Sequence, residues 1–461
     1  MRPILICALS STLLALPAIA AAAAGEAFAS TYQPLASSAT VLRHATVLIG
    51  NGQRLDNADV LLRDGKIAAL GTQLQVPDGS LEIDARDKWV TPGLIDVHSH
   101  LGVYASPGVT ASADGNEMSA PVTAQVWAEH GVWPQDPGFA KALAGGITSM
   151  QVLPGSANLI GGRGVTLKNV PATTMQAMKF AGAPHGLKMA CGENPKRVYG
   201  TRMQSPMTRM GNMAGYRAAF SEAREYAEQW ADYAKATAKA GKDKKTEPAK
   251  APKRDLRLDT LAAVLNGEIQ VHIHCYRADE MANMIALADE FGFKIAAFHH
   301  GVEAYKIADV LAKEHICGAL WADWWGFKME AYDGIEENIA LVDRPEGGCA
   351  IVHSDSAEGI QRLNQEAAKV IGSAQRVGIA IAPERAIRWL TENAARALGV
   401  LEHTGTLEAG KMADVVVWNG NPFSVYAKAD QVFIDGALLY DRNDPAHQPT
   451  SDFMLGQEAS P

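Results

Sequence analysis

A chain of 461 residues with 47% apolar and 20% charged residues can build one large core with an accessory domain, or two to three ordinary domains, and has the composition of a soluble globular protein. Its formal net charge of −9 supplies no basic footprint, so nucleic acid is not an expected partner. The first residues, MRPILICALSSTLLALPAIAAAAAG, put one arginine before an apolar stretch, then Pro17 and small residues with an A-x-A exit around Ala18 to Ala20. That order predicts a secretory signal peptide over 1–29. A membrane anchor is the alternative, but Ser10, Ser11, Thr12 and Pro17 interrupt the run. No second spanning run follows, so the mature protein is expected to be periplasmic or secreted, with no stable membrane insertion after cleavage. Cys7 would leave with the leader. Cys191, Cys275, Cys317 and Cys349 show no CxxC spacing and lie in or beside apolar runs, which suits buried free thiols better than a zinc site, although an exported protein can form disulfides.

Over residues 38–90 the chain alternates short apolar runs with turn residues: ATVLIGNGQ, ADVLLRDGKIAALG and LEIDARDKWV. The Asp-Gly of RDGK marks a hairpin. From 91 to 404, eight strand candidates recur with helical stretches between them: GLIDVHSH, GITSMQVLP, RGVTLKN, HGLKMACG, IQVHIHCY, KIAAFHHG, ICGALWAD and GCAIVHSDS. Alternating strands and helices predict a parallel sheet, and eight such units fit an α/β fold with a closed (β/α)8 barrel. No G-x-G-x-x-G follows the first strand, which disfavours an open doubly wound sheet. The glycine-rich NLIGGRGVTLK lacks the ending of a phosphate loop and is read as a turn between strands. A charged insertion at about 205–255, alanine-rich and then Lys/Pro-rich from 216 onward, is expected to be an exposed helix and linker between the fourth and fifth strands. Residues 405–445, with MADVVVWNGNPF and ADQVFIDGALLYD, resemble the first segment in character and are expected to pair with it in one small β domain.

Side chains alternate faces along a strand, so His98 and His100 point the same way, about 6.6 Å apart. Alone, such a pair says little. The fifth strand adds His272 and His274, the sixth ends on His299 and His300, and the eighth ends on HSDSAEG with Asp355. In a barrel these strand ends meet at the C-terminal face, where enzymes of this fold keep their chemistry. Unpartnered buried polar groups cost about 1 to 3 kcal/mol each, a penalty that a shared cation removes. Imidazole with carboxylate suits zinc, and manganese, iron or nickel less specifically.

Several stretches resemble the amidohydrolase superfamily, in the branch of imidazolonepropionase-like and Xaa-Pro dipeptidase-like enzymes. VTPGLIDVHSH is similar to the family's first-strand motif, ALAGGITSMQVLPG to its second, IHCYRADEM to its fifth, FHHGVEAYKIADVLA to its sixth and VHSDSAEG to its eighth. LTENAARALGVLEHTGTLEAGKMADVVVWNGNP resembles the return into the β domain, so the likeness covers about residues 40 to 440. It implies a (β/α)8 barrel carrying a small β-sandwich made from both ends of the chain. It further implies one or two divalent metals, with His98 and His100 on one and His274 and His300 on the other, and Asp355 as metal ligand and acid/base. Within each doublet it selects His274 over His272 and His300, followed by Gly301, over His299. His272 and His299 then take structural roles, with His299 on the opposite strand face. Lys188 falls where two-metal relatives carry a carboxylated bridging lysine, with Glu193 as the rival.

Zinc can lower the pKa of its water to about 7, and a carboxylate can then take the water's proton and pass it to the leaving nitrogen. The expected activity is hydrolysis of a small-molecule amide, of the dipeptide or N-acyl amino acid type. Alternatives are a cyclic-amide hydrolase with a single metal, and a non-catalytic binding protein on the same scaffold. Arg277 is a candidate for a substrate carboxylate, with a fork to Asp279 or Glu280 equally natural. Tyr276 stands where relatives often show histidine. Trp321, Trp324 and Trp325, after the seventh strand, are candidates for a pocket wall, with core packing as the other reading. Homo-oligomerisation is compatible with everything in the sequence.

Overall fold

In a computed structural model, which describes residues 28–241, 249–324 and 326–449, the chain opens on five strands: β1 Thr40–Leu48, β2 Arg54–Arg63, β3 Lys66–Gly71, β4 Leu81–Asp84 and β5 Trp89–Pro92. The leader expected over 1–29 lies outside the described residues except for Phe28 and Ala29. Asp64 and Gly65 take φ of 54° and 74°, the left-handed pair a two-residue hairpin needs, and Arg63 faces Lys66 across it.

The barrel strands follow: β6 Leu94–Ser99, β7 Ile147–Val152, β8 Ile160–Lys168, β9 Gly186–Ala190, β10 Gln270–Cys275, β11 Ile295–His300, β12 Cys317–Leu320 and β13 Ala350–Val352. Each pairs with its neighbours in chain order. The first and last are tied where β13 ends: the Asp355 N–H donates to the His98 carbonyl at 3.1 Å, and the Ser354 N–H to Asp96 Oδ1 at 3.2 Å. Helix α1 (Pro137–Ala144) precedes β7; α2 (Glu193–Gly200), α3 (Arg209–Ala240) and α4 (Leu256–Leu265) separate β9 from β10; α5 (Ala278–Phe291), α6 (Ala308–Lys313), α7 (Asn338–Asp343) and α8 (Leu363–Arg376) follow β10 to β13 in turn. β14 (Val415–Trp418), β15 (Ala429–Ile434) and β16 (Ala437–Asp441) return to the opening sheet, where Val417 pairs with Val90. Leu42, Val47, Val60, Leu62, Val90, Val415, Val417 and Phe433 form a core of their own there, built from both ends of the chain.

Four expectations need correction. The barrel sheet is not parallel throughout, because β8 runs antiparallel to both β7 and β9. Only residues 153–159 join β7 to β8, whereas a parallel crossover needs a dozen or more. The glycine-rich segment is therefore mostly strand, not turn. The charged insertion holds a 32-residue helix, α3, which starts at the Thr208 cap, whose side chain accepts from the Gly211 N–H. Its first half buries Tyr216, Ala219, Phe220 and Ala223, so only its later part is the exposed helix foreseen; residues 242–248 of the linker lie outside the described residues. The cysteines are not free: Cys191 pairs with Cys275 and Cys317 with Cys349. Both pairs join neighbouring strands, where register places the residues side by side: Ala190 faces His274 one step before Cys191 and Cys275.

Candidate metal centre and its surroundings

At the C-terminal ends of the barrel strands the structure brings together His98, His100, Lys188, His274, His300 and Asp355. The Asp355 carboxylate is the hub. Its Oδ1 lies 3.1 Å from His100 Nε2 and 3.5 Å from His98 Nε2, and its Oδ2 lies 3.8 Å from His300 Nε2. One donor atom each from His98, His300 and Asp355 falls within 4.8 Å of the others. The His274 ring stands 4.6 Å from that of His300. Lys188, on β9, places Nζ 3.4 Å from His98 Nε2 and donates to the Pro154 carbonyl at 3.0 Å. Only His100 and Asp355 reach solvent appreciably; the other four are at most 3% exposed.

Two of these residues leave ordinary strand geometry. His300 has φ of 71° and Asp355 φ of 50°, left-handed conformations that non-glycine residues rarely adopt and that cluster at functional sites. The turn at His300 has a second effect. His299 faces the barrel in register with His274, as alternation dictates, and the turn brings His300 to the same side, so His299 does not point away from His300 as expected. Its ring enters the barrel beneath the cluster, where Nδ1 shares a hydrogen bond with His98 Nδ1 at 2.9 Å and Nε2 with His272 Nδ1 at 2.9 Å.

The electrostatics follow from burial. Desolvation holds the imidazoles of His98, His274, His299 and His300 well below the ordinary histidine value, and charges on Lys188 and neighbouring rings add to it. The same cause lowers His353 to about 4, His272 to about 3 and the Lys188 amine to about 8. For Asp355 burial acts upward, but the hydrogen bond from His100 and the charges of His100, His353 and Lys188 outweigh it and keep the carboxyl below its ordinary value. The buried rings of His98, His274 and His300 are thus neutral, each with a lone pair to offer, around one ionised carboxylate.

The surrounding candidates divide. The Tyr276 ring is buried, stacks 5.6 Å from His300 and stands edge-on to His274. Trp321 stacks on His300 at 4.2 Å, and Trp324, half exposed, leans on Trp321 at 5.1 Å; Trp325 lies outside the described residues. Arg277 sits on the exposed rim and spends its fork on Asp279, at 2.9 and 3.3 Å. Glu193 turns toward Lys328, 3.5 Å away, rather than filling a place beside Lys188.

Four neighbours escaped the sequence reading. His353 shares a hydrogen bond at 2.9 Å with His300 Nδ1, and its signal was the histidine two residues before Asp355. Asp96 is wholly buried, accepts from the Ser354 hydroxyl and backbone and from the His98 N–H, and is raised to about 7 by burial; its signal was a lone carboxylate inside an apolar strand. Asn194 lies 3.4 Å from His274 Nε2, and Lys328 caps the Tyr276 ring at 4.1 Å. Nothing local marked either of them.

Comparison with known proteins bears on the family and the fold. Residues 345–439 match the Amidohydrolase family. An amidohydrolase of known structure from Thermotoga maritima is 34% identical and superposes with a TM-score of 0.77, covering 87% of this chain and all of that one. The amidohydrolase tasK of Hapsidospora irregularis is 32% identical over 399 residues, 83% of this chain, which spans 40% of that relative's length. The imidazolonepropionase of Mesorhizobium japonicum is 24% identical over 79% of this chain and 87% of its own.

Proposed function

Because the chain belongs to the amidohydrolase superfamily, hydrolases acting on carbon–nitrogen bonds, we propose that its strand-end histidines hold one or two divalent cations, zinc first among them, and that it cleaves a small amide of the dipeptide or N-acyl amino acid type. The observation that carries this reading is the convergence of His98, His300 and Asp355 donor atoms within 4.8 Å of one another. The donor set fits: neutral imidazoles and an ionised carboxylate are what zinc takes. His98, His100 and Asp355 would serve one cation, His274 and His300 a second. A cation held there supplies Lewis acidity, polarising a carbonyl and making water acidic enough to attack near neutral pH.

The protein's own groups manage the rest. Asp355, ionised and a quarter exposed, accepts the proton of the attacking water and returns it to the leaving nitrogen. Lys188 supports the two-cation form. An ammonium buried this deeply is costly, and its lowered pKa makes the neutral amine accessible. That amine can add to the carbon of carbon dioxide and shed one proton, leaving a carbamate that would offer oxygen ligands where the lone amine offers nitrogen. Trp321, Trp324 and Tyr276 wall the approach, and Arg277 would have to leave Asp279 to meet a substrate carboxylate. Export is supported by the leader-like start and by two disulfides, which persist in oxidising compartments.

The test is to count metals per chain in the purified protein, then screen dipeptides, N-acyl amino acids and cyclic amides before and after chelation. Activity that vanishes with the metal and returns with zinc is expected. Full turnover by the metal-free protein would refute the mechanism, and no turnover of any amide would leave the scaffold a binding protein.

A further inference from the structure

Beneath the candidate centre three buried imidazoles stand in a row. His98 Nδ1 meets His299 Nδ1 at 2.9 Å, and His299 Nε2 meets His272 Nδ1 at 2.9 Å. His272 Nε2 ends the row, buried and with no hydrogen-bond partner among the described residues. Beside it lies a small polar floor. Both amide atoms of Gln151 and the hydroxyls of Ser149 and Thr166 are likewise buried without a partner among the described residues. Gln151 pairs across the sheet with Thr166, and Ser149 lies on the same strand face as Gln151. Gly186 leaves the opening: a Cβ there would come 2.7 Å from Gln151 Nε2 and 3.0 Å from the His272 ring. Buried polar groups take partners, and this floor offers unpartnered ones beside the row's last nitrogen, the Gln151 amide foremost.

A row of neutral imidazoles has only two consistent arrangements, because each ring carries one N–H and offers one lone pair. In one, His98 donates from Nδ1 to His299, His299 from Nε2 to His272, and His272 from Nε2 to the floor. In the other every bond is reversed and His98 carries its proton on Nε2, facing Asp355. Two groups compete for that nitrogen: Lys188 Nζ at 3.4 Å favours the first arrangement as a donor, Asp355 at 3.5 Å the second as an acceptor. A cation on His98 Nε2 permits only the first. By contrast, His100 Nδ1 faces the Leu153 carbonyl at 2.8 Å, which can only accept, so that ring is held ready in either case.

We propose that His299 and His272 are positioning residues that set the tautomer of His98 through a directional imidazole row anchored on the Gln151–Thr166–Ser149 floor. The proposal rests on the metal reading above. No ring changes charge: each keeps one N–H in both arrangements, and only the direction differs. Outer partners that orient metal-bound histidines are worth about 10- to 100-fold in metal affinity, which sets the size of the effect.

The experiment is long-range 1H–15N correlation on the full-length, zinc-loaded protein with 15N-labelled histidine. Signals are assigned by loss in His299→Phe and His272→Phe, and zinc affinity is measured in parallel by competition with a chromophoric chelator. Expected are His299 and His272 both neutral with the proton on Nε2, and zinc binding weakened about 10- to 100-fold in His299→Phe. In His272→Gln, whose amide can accept from His299 and donate to the floor, affinity returns toward the parent's relative to His272→Phe. A Nδ1-protonated His272 or His299 in the loaded parent, or equal zinc affinity in parent and folded His272→Phe, would overturn the row alone. A parent that binds no zinc overturns it together with the metal reading. Where a phenylalanine variant does not fold, His272→Gln or His299→Gln supplies the same assignment, and the spectrum of the parent still decides the matter.

Discussion

Asp355 and Lys188 carry the two strongest claims at the scale of single residues. Asp355 lies within 4 Å of three imidazoles, and its amide holds the first barrel strand to the last, so its position is set by backbone as well as side chain. Asp355→Asn keeps the shape and removes the proton acceptor. With zinc present it should lower kcat by about 10²- to 10⁴-fold, measured on the best substrate from the screen. An unchanged rate would remove Asp355 from proton transfer. Lys188 has no carboxylate within hydrogen-bonding distance among the described residues, only the Pro154 carbonyl and His98. Lys188→Met should therefore reduce the metal count by one per chain, and the parent should incorporate 13C-labelled carbon dioxide as a carbamate visible by 13C NMR. A parent that takes up no label, with the same metal count in Lys188→Met, would count against a bridging role. At this scale the sequence revealed which residue types gather, but not that His299 and His300 share a side, because a left-handed His300 overrides strand alternation.

Among the elements, the antiparallel β8 and the strand-joining disulfides set the geometry of the mouth. Gly162, inside β8, has φ of 125° and faces the Val126 carbonyl oxygen so closely that a Cβ has no room. Gly162→Ala should cost about 1–3 kcal/mol, through overpacking and backbone strain together, read as a lowered thermal midpoint. An alanine variant as stable as the parent would show that β8 can shift. The Cys317–Cys349 bridge closes a loop of 32 residues between β12 and β13, and replacing both with serine should cost about 2–4 kcal/mol in urea unfolding. The Cys191–Cys275 bridge lies one residue beyond His274, and the Cys191 N–H donates to the His274 carbonyl at 2.9 Å. Reducing it should loosen zinc binding as well as the fold. Stability that is indifferent to reductant would show that neither bridge forms in the purified protein.

Taken whole, the molecule buries an unusual number of neutral imidazoles in one barrel. His98, His272, His274, His299, His300 and His353 all have folded pKa values pushed down by burial. The unfolded chain titrates them near about 6.5, so below that pH it binds protons that the fold refuses. Their contribution to stability is therefore complete above about pH 6.5 and is lost as the pH falls, by up to about 1.4 kcal/mol per pH unit for each ring. Urea unfolding of the metal-free protein should show a midpoint that drops steeply between about pH 7 and about pH 5. A flat midpoint over that range would mean that the rings are solvated or already charged.

Whatever is written in local pattern could be read from the amino acids alone. Alternating apolar runs placed all eight barrel strands, Asp64–Gly65 placed a hairpin, and histidines at the ends of apolar runs marked the site. Each signal lives within about ten residues, where backbone periodicity and turn chemistry act directly. The direction of β8, the pairing of the four cysteines, the entry of His299 beneath the cluster, and the places of Asp96, His353, Asn194 and Lys328 came only with the folded chain. Those depend on the register between distant strands and on which side chains share one low-dielectric interior. Such contacts come into being when the barrel closes, and no short stretch of the chain records them.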